Sequence, residues 1–188
     1  MATTGIRNGV DVDQLVQTID AIKNDAGIAQ FTFKANTTWS EGGTSTTEMS
    51  SFTHAGQDHP HAAAHRLTGD EPAVLLGRDT GPNAVELVLA ALGSCYSVGF
   101  AYNAAALGYE LEELEYEIEG DLDLRNFVGI EEGPRAGFTE IRVTGRARAK
   151  NASAEELEKL CQYVQDTSPV KDILVNAVPV KTSLEVIG

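Results

Sequence analysis

Cysteine is scarce in this sequence of 188 residues, where only Cys95 and Cys161 occur. Two cysteines are too few for the disulfide framework of a small secreted domain, so we expect a reducing environment and a cytoplasmic location. The N-terminus shows no basic run followed by an apolar stretch, and we expect no signal peptide.

Basic side chains are also few, since 14 Lys and Arg stand against 28 Asp and Glu and give a net charge of -14. Phosphate backbones and anionic membrane surfaces repel such a chain unless a basic cluster overrides the charge, and the sequence has no such cluster. We therefore expect neither nucleic acid nor a membrane as a partner.

Charged residues are missing altogether from 87–107, a segment long enough to raise the question of a membrane span. Its glycine, serine and asparagine residues and its lack of basic flanks argue against a span. We expect instead a core helix that is buried on nearly all sides.

Hydrophobic periodicity and turn residues divide the chain into alternating elements. The predicted helices cover about 11–25, 84–107, 153–167 and 169–177. The predicted strands cover about 28–38, 44–52, 65–67, 73–76, 114–124, 139–150 and 178–187. Because no repeat or linker interrupts this order, we expect a single α+β domain over residues 1–188.

Residues typical of helix ends support the helix boundaries. Asn83 and Glu86 fit a capping box at the start of the long helix, and Ser153 and Glu156 fit one at the start of the next. Ser168, followed by proline, is the predicted N-cap of the last helix.

Two strands carry opposite charges on alternate residues. In 114–124 every second residue is acidic, and in 139–150 the alternating charged residues are basic. An antiparallel pair places these charges opposite each other, so the basic strand is better explained as a partner of the acidic strand than as an anion-binding surface.

Cys95 lies within Gly93-Ser94-Cys95-Tyr96-Ser97, where small neighbours allow close approach of a helix or a substrate. A cysteine in an apolar helix ordinarily packs as a small hydrophobe. Because Cys95 is in mid-helix, reactivity requires a cation or a hydrogen-bond donor from elsewhere to favour the thiolate.

The order of motifs resembles that of the OsmC family, which includes the organic hydroperoxide resistance proteins. Gly81-Pro82-Asn83 leads into the helix that contains Cys95, and Ser168-Pro169-Val170 follows far downstream. The resemblance covers about residues 28–187 and implies antiparallel sheets around two long core helices, to which the helix at 11–25 is an addition. It also implies an intertwined homodimer with active sites at the subunit interface.

The resemblance implies a chemistry in which a thiolate attacks a hydroperoxide and a second cysteine resolves the sulfenic acid as a disulfide. Cys95 takes the position of the attacking cysteine, whereas Ser168 stands where the resolving cysteine belongs and cannot form a disulfide. Val85 stands at the family's catalytic glutamate, with Glu86 adjacent. The resemblance also implies an activating arginine on the N-terminal hairpin, but no arginine lies between Lys34 and Arg66, so Arg66 and Arg78 are the nearest by sequence.

We accordingly expect catalytic roles for Cys95, Glu86, Arg66 and Ser168. Cys161 lies two helical turns before Ser168, which is too far along the helix for a resolving role, and we expect it to pack in the core.

Four histidines fall close together, at His54, His59, His61 and His65. A zinc site built on His59 and His61 is one interpretation, but no closed ligand set completes it, and we favour a polar loop. A third hypothesis is that His61 or His65 assists the Cys95 thiolate in place of the missing arginine.

The sequence therefore predicts an enzyme that reduces organic hydroperoxides or peroxides through Cys95, with an external thiol as resolver and no cofactor or metal. The alternative is a catalytically degenerate member of the family that binds a small apolar ligand at the dimer interface.

Overall fold

A computed structural model describes residues 5–130 and 132–188 of the chain. The residues cluster into two compact units, Met1–Ala90 and Ala91–Gly188. The single domain over 1–188 stays a prediction, whereas the α+β class with antiparallel sheets is confirmed.

The helices within the described residues are α1 (Val12–Asn24), α2 (Ala84–Leu107), α3 (Ala154–Thr167) and α4 (Pro169–Val175). The strands are β1 (Ile6–Arg7), β2 (Val10–Asp11), β3 (Phe31–Phe33), β4 (Asn36–Glu41), β5 (Thr44–His54), β6 (Gln57–Gly69), β7 (Leu111–Asp121) and β8 (Glu140–Ala149). Short 3₁₀ turns cover Ala26–Ala29 and Ala73–Leu75.

In the first unit, a four-stranded antiparallel sheet is centred on β5. β3 and β4 pair with successive halves of one edge of β5, while β6 pairs with the other edge. The predicted strand 28–38 is therefore divided in two, and its break at 34–35 lies level with the irregularity of β5 between Met49 and Ser51. The predicted N-terminal helix is confirmed.

Of the two strands predicted between β5 and α2, one is too short and the other is wrong. The short strand at 65–67 is part of the much longer β6, because residues 57–60 and 65–69 both pair with β5. The strand at 73–76 is a 3₁₀ turn closed by the Leu75 amide, which donates to the Pro72 carbonyl at 2.8 Å. Gly77 follows this turn because a Cβ there would lie 1.7 Å from the Glu71 carbonyl oxygen.

Asp70, which is only 2% exposed, fastens the loop that leads to α2. Its carboxylate accepts hydrogen bonds from the backbone amides of Glu71, Arg78 and Thr80 and from the hydroxyls of Thr80 and Thr44. The hydrogen bonds from Thr80, chiefly that from its hydroxyl, lower the pKa of Asp70 to about 2. The loop is thus held by an ionised carboxylate.

We expect the Asp70→Asn variant to unfold several degrees below the wild type at pH 7, because an amide accepts fewer of these hydrogen bonds. Since the pKa of Asp70 is lowered on folding, its stabilising effect is complete above the unfolded value of about 4 and is lost as the pH falls toward 2. The difference in Tm should therefore shrink in acid. Thermal unfolding at pH 7 and in acid checks this, with Asp20→Asn, a change at an exposed carboxylate, as the control. Equal shifts in Tm for the two variants would contradict the prediction.

In the second unit, β7 and β8 form the predicted antiparallel pair, with Glu115 opposite Arg146 and Glu119 opposite Arg142. Arg146 pairs with Glu115 and Glu117 at 3.3 and 3.0 Å. The basic residues of β8 are therefore engaged by the acidic strand, as the alternation of charges predicts.

The core of the second unit is built along one stripe of α2, in which Leu92, Tyr96, Phe100 and Ala104 recur every four residues. Leu160 and Val164 of α3 complete the buried cluster, which partly buried residues of β7 and β8 cover. The capping box of Ser153 and Glu156 fixes the start of α3 as predicted.

The prediction that the long helix is buried on nearly all sides is wrong, because part of α2 outside the buried stripe is exposed. Val98 and Tyr102 are 54% and 47% exposed. Among the described residues, α2 is long and apolar enough to cross a membrane by length and composition alone, which is weak evidence because core helices pass the same test.

The predicted final strand at 178–187 is absent from the described structure, in which residues after Asn176 have no regular secondary structure. Val180, Leu184 and Val186 are more than four-fifths exposed. Alternation gives a segment the pattern of a strand, but a strand forms only where another edge supplies hydrogen bonds, and β7 and β8 pair only with each other.

Candidate functional site

Cys95 lies on α2 next to the buried stripe, with its side chain partly buried. Its Sγ lies 3.1 Å from Oγ of Ser168, which follows 73 positions later in the chain. The packing of α3 against α2 in the hydrophobic core thus brings together two of the predicted site residues.

Ser168 lies at the junction of α3 and α4 and is only 6% exposed. As predicted, it is the N-cap of α4 with Pro169 as the first helical residue. Its Oγ accepts a hydrogen bond from the Lys171 amide at 3.1 Å. The capping geometry therefore fixes where this hydroxyl lies.

A cavity of about 420 Å³ opens beside the two side chains. Its described lining consists of Ser94, Cys95, Val98, Gly99, Val164, Thr167, Ser168 and Pro169. None of these residues except Cys95 is ionisable, so the cavity is apolar and neutral apart from its thiol and hydroxyls.

Cys161 lies in a different environment, as predicted for a packing residue. It borders a second cavity of about 240 Å³ together with Phe100 and Tyr116, and it packs against the core. Burial raises the pKa of Tyr96 and Tyr116, whose ring centres are 5.6 Å apart. Both cysteines are free thiols.

Glu86 and Arg66 make local contacts within the first unit. Glu86 accepts a hydrogen bond from the Asn83 amide at 2.8 Å, which confirms the predicted capping box. Arg66 lies on β6, where its Nε is 3.0 Å from a carboxylate oxygen of Glu48. The catalytic roles expected for Glu86 and Arg66 stay predictions.

The four histidines lie on strands, so the predicted polar loop is wrong. His54 ends β5, whereas His59, His61 and His65 belong to β6. Their rings pack against one another and against phenylalanine rings, with 4.6 Å between the centres of His61 and His65. Within residues 5–130 and 132–188, no three His, Cys, Asp or Glu side chains are placed to hold a metal ion.

Apart from Cys95 and Ser168, the residues of the cavity wall were not predicted as site residues from the sequence. Val98 and Gly99 follow Cys95 by three and four positions and therefore share its face of α2, which is a signal the sequence does contain. Val164 and Thr167 carry no comparable signal, because their place depends on how α3 packs.

Solved structures with a similar fold define the class of fold. An OsmC-like protein from Mycoplasma pneumoniae superposes with a TM-score of 0.58 at 16% identity, over 77% of this chain and 88% of that one. An organic hydroperoxide resistance protein from Legionella pneumophila gives 0.51 at 18% identity, over 76% and 88%. At these identities the likeness establishes an OsmC-like fold and no more.

The family follows from the sequence. The family model described as OsmC-like protein matches residues 77–183, which is more than half of the chain. This chain therefore belongs to the OsmC family. Among curated proteins, none matches it.

Proposed function

We propose that this protein reduces organic hydroperoxides with Cys95 as the nucleophile and an external thiol as the reductant. The observation that carries the proposal is the contact of Cys95 Sγ with the Ser168 hydroxyl beside an apolar cavity. Membership of a family that includes hydroperoxide resistance proteins supports it.

The first step is the attack of the Cys95 thiolate on one oxygen of the O–O bond. That bond breaks, the departing alkoxide takes up a proton to become an alcohol, and Cys95 is oxidised to the sulfenic acid. The apolar walls of the cavity, including Val98 and Val164, suit the hydrocarbon part of such a substrate.

The second step needs two molecules of an external thiol. The first attacks the sulfenic sulfur, releases water and forms a mixed disulfide, and the second attacks that disulfide to free the Cys95 thiol. Ser168 cannot replace the first thiol because oxygen does not form a disulfide, and Cys161 opens onto a different cavity.

One equivalent of cumene hydroperoxide should convert Cys95 to a sulfenic acid that accumulates. The group in contact with its sulfur is a hydroxyl, which cannot convert a sulfenic acid into a disulfide. Trapping with dimedone, followed by peptide mass spectrometry, should find the adduct on Cys95 and leave Cys161 unmodified. Recovery of a Cys95–Cys161 disulfide would contradict the proposed cycle.

A second candidate function is the binding of a small apolar ligand without catalysis. It is favoured by the described lining of the Cys95 cavity, which contains no Lys, Arg or His to activate a thiol. Hydroperoxide turnover separates the two candidates. The homodimer implied by the resemblance stays a prediction.

A further inference from the structure

The hydroxyl of Ser168 has two hydrogen-bond contacts with different requirements. Its oxygen lies 3.1 Å from the Lys171 amide nitrogen and 3.1 Å from Cys95 Sγ. A backbone amide can only donate, so the oxygen of Ser168 is the acceptor in the first contact. The single hydrogen of the hydroxyl is therefore free for the second.

A thiolate can only accept hydrogen bonds, which settles the direction of the second contact when Cys95 is ionised. We propose that Ser168 is a positioning residue whose O–H donates to the Cys95 sulfur and stabilises the thiolate. Because Ser168 is 6% exposed, little water competes for this hydrogen bond.

The Ser168 hydroxyl is important for the thiolate because the described surroundings of Cys95 offer it no cation. The described residues that line the cavity include no Lys, Arg or His, so none of them supplies the cation that commonly favours a thiolate. Cys95 is also in the middle of α2, too far from its start to gain from the helix dipole. Hydrogen bonds to charged groups are stronger than those between neutral groups, so a single donor has a large effect here.

The role of this hydrogen bond in hydroperoxide reduction rests on the proposed function. The position that in the OsmC resemblance belongs to the resolving cysteine carries instead a donor that favours the attacking form of Cys95. Resolution is left to an external thiol, while activation is retained within the chain.

The test measures the rate at which iodoacetamide alkylates Cys95 across a range of pH, with Cys161→Ser as the background so that a single thiol reacts. Ser168→Ala should slow alkylation at pH 7 about tenfold or more and move the midpoint of the profile to higher pH. Ser168→Gly should do the same.

The two variants separate the donor from the cap. Glycine at an N-cap costs a helix much less than alanine does, so thermal unfolding should distinguish the variants while alkylation should not. Thr167→Ala is the matched control, because Thr167 lines the same cavity but its hydroxyl donates to the Tyr163 carbonyl.

Wild-type alkylation rates in Ser168→Ala and Ser168→Gly, or equal slowing in Thr167→Ala, would overturn the inference. Because alkylation uses no hydroperoxide, its outcome is independent of turnover. Slowed alkylation in a protein without turnover would support the role of Ser168 and refute only the proposed function.

Discussion

Ser168→Cys should convert the protein into one that closes a disulfide between Cys95 and position 168 when it is treated with a hydroperoxide. The Sγ of Cys95 already lies 3.1 Å from the atom that the new sulfur would replace. A disulfide needs about 2.05 Å, and the longer carbon–sulfur bond of cysteine covers part of the difference.

The disulfide in this variant should form in two steps. Hydroperoxide oxidises Cys95 to the sulfenic acid, and the thiol introduced at position 168 then attacks that sulfur and releases water. Attack within one chain is much faster than attack by a dilute external thiol, so we expect near-complete conversion after one equivalent. The cost is about 1 kcal/mol of stability, because cysteine replaces a capping serine.

Non-reducing peptide mapping measures this outcome. Thr167→Cys is the matched control, since residue 167 lines the same cavity but its side chain contacts Tyr163 rather than Cys95. We expect the disulfide in Ser168→Cys and little of it in Thr167→Cys. An oxidised Ser168→Cys protein that retains a free thiol at position 168 would show that residue 168 does not contact Cys95.

Local patterns in the sequence were enough to predict several elements that build the site. The cap of Ser168 and the start of α2 at Asn83 depend on residues within one helical turn. The pairing of β7 with β8 followed from alternating charges, because a one-residue slip would have moved every charge to the other face.

Features that depend on distant partners were not predictable in this way. The extent of β6 is set by β5, and the exposure of Val98 is set by which elements cover α2. The segment 178–187 has the alternation of a strand but lacks a paired edge. Composition cannot reveal any of these, since each is decided by what packs against the segment.

In the candidate site, too, local patterns were predictable and contacts between distant residues were not. Cys95 and Ser168 were found through the family resemblance, and the cap predicted the position of the Ser168 backbone. The resemblance also implies that they lie close together, because Ser168 stands where the resolving cysteine belongs. Local sequence patterns could not predict their 3.1 Å contact, because it depends on the packing of α3 against α2. The cavity walls from α3 were missed for the same reason.

Loss of turnover in Cys95→Ser is the other large effect that we expect. Serine preserves the size of the side chain and a contact with Ser168, but an alcohol is not ionised at neutral pH and does not attack the O–O bond. Cys161→Ser is the matched control, because it removes the other thiol from a separate cavity. It should retain the wild-type rate.

The most direct test of a Cys95-dependent reductase is the rate at which cumene hydroperoxide, t-butyl hydroperoxide or hydrogen peroxide is consumed with dithiothreitol or a dihydrolipoyl donor. We predict turnover by the wild type and by Cys161→Ser, and for Cys95→Ser only the rate of the reductant alone. A wild-type rate no higher than that of Cys95→Ser would contradict the account and leave apolar ligand binding as the better explanation of the cavity.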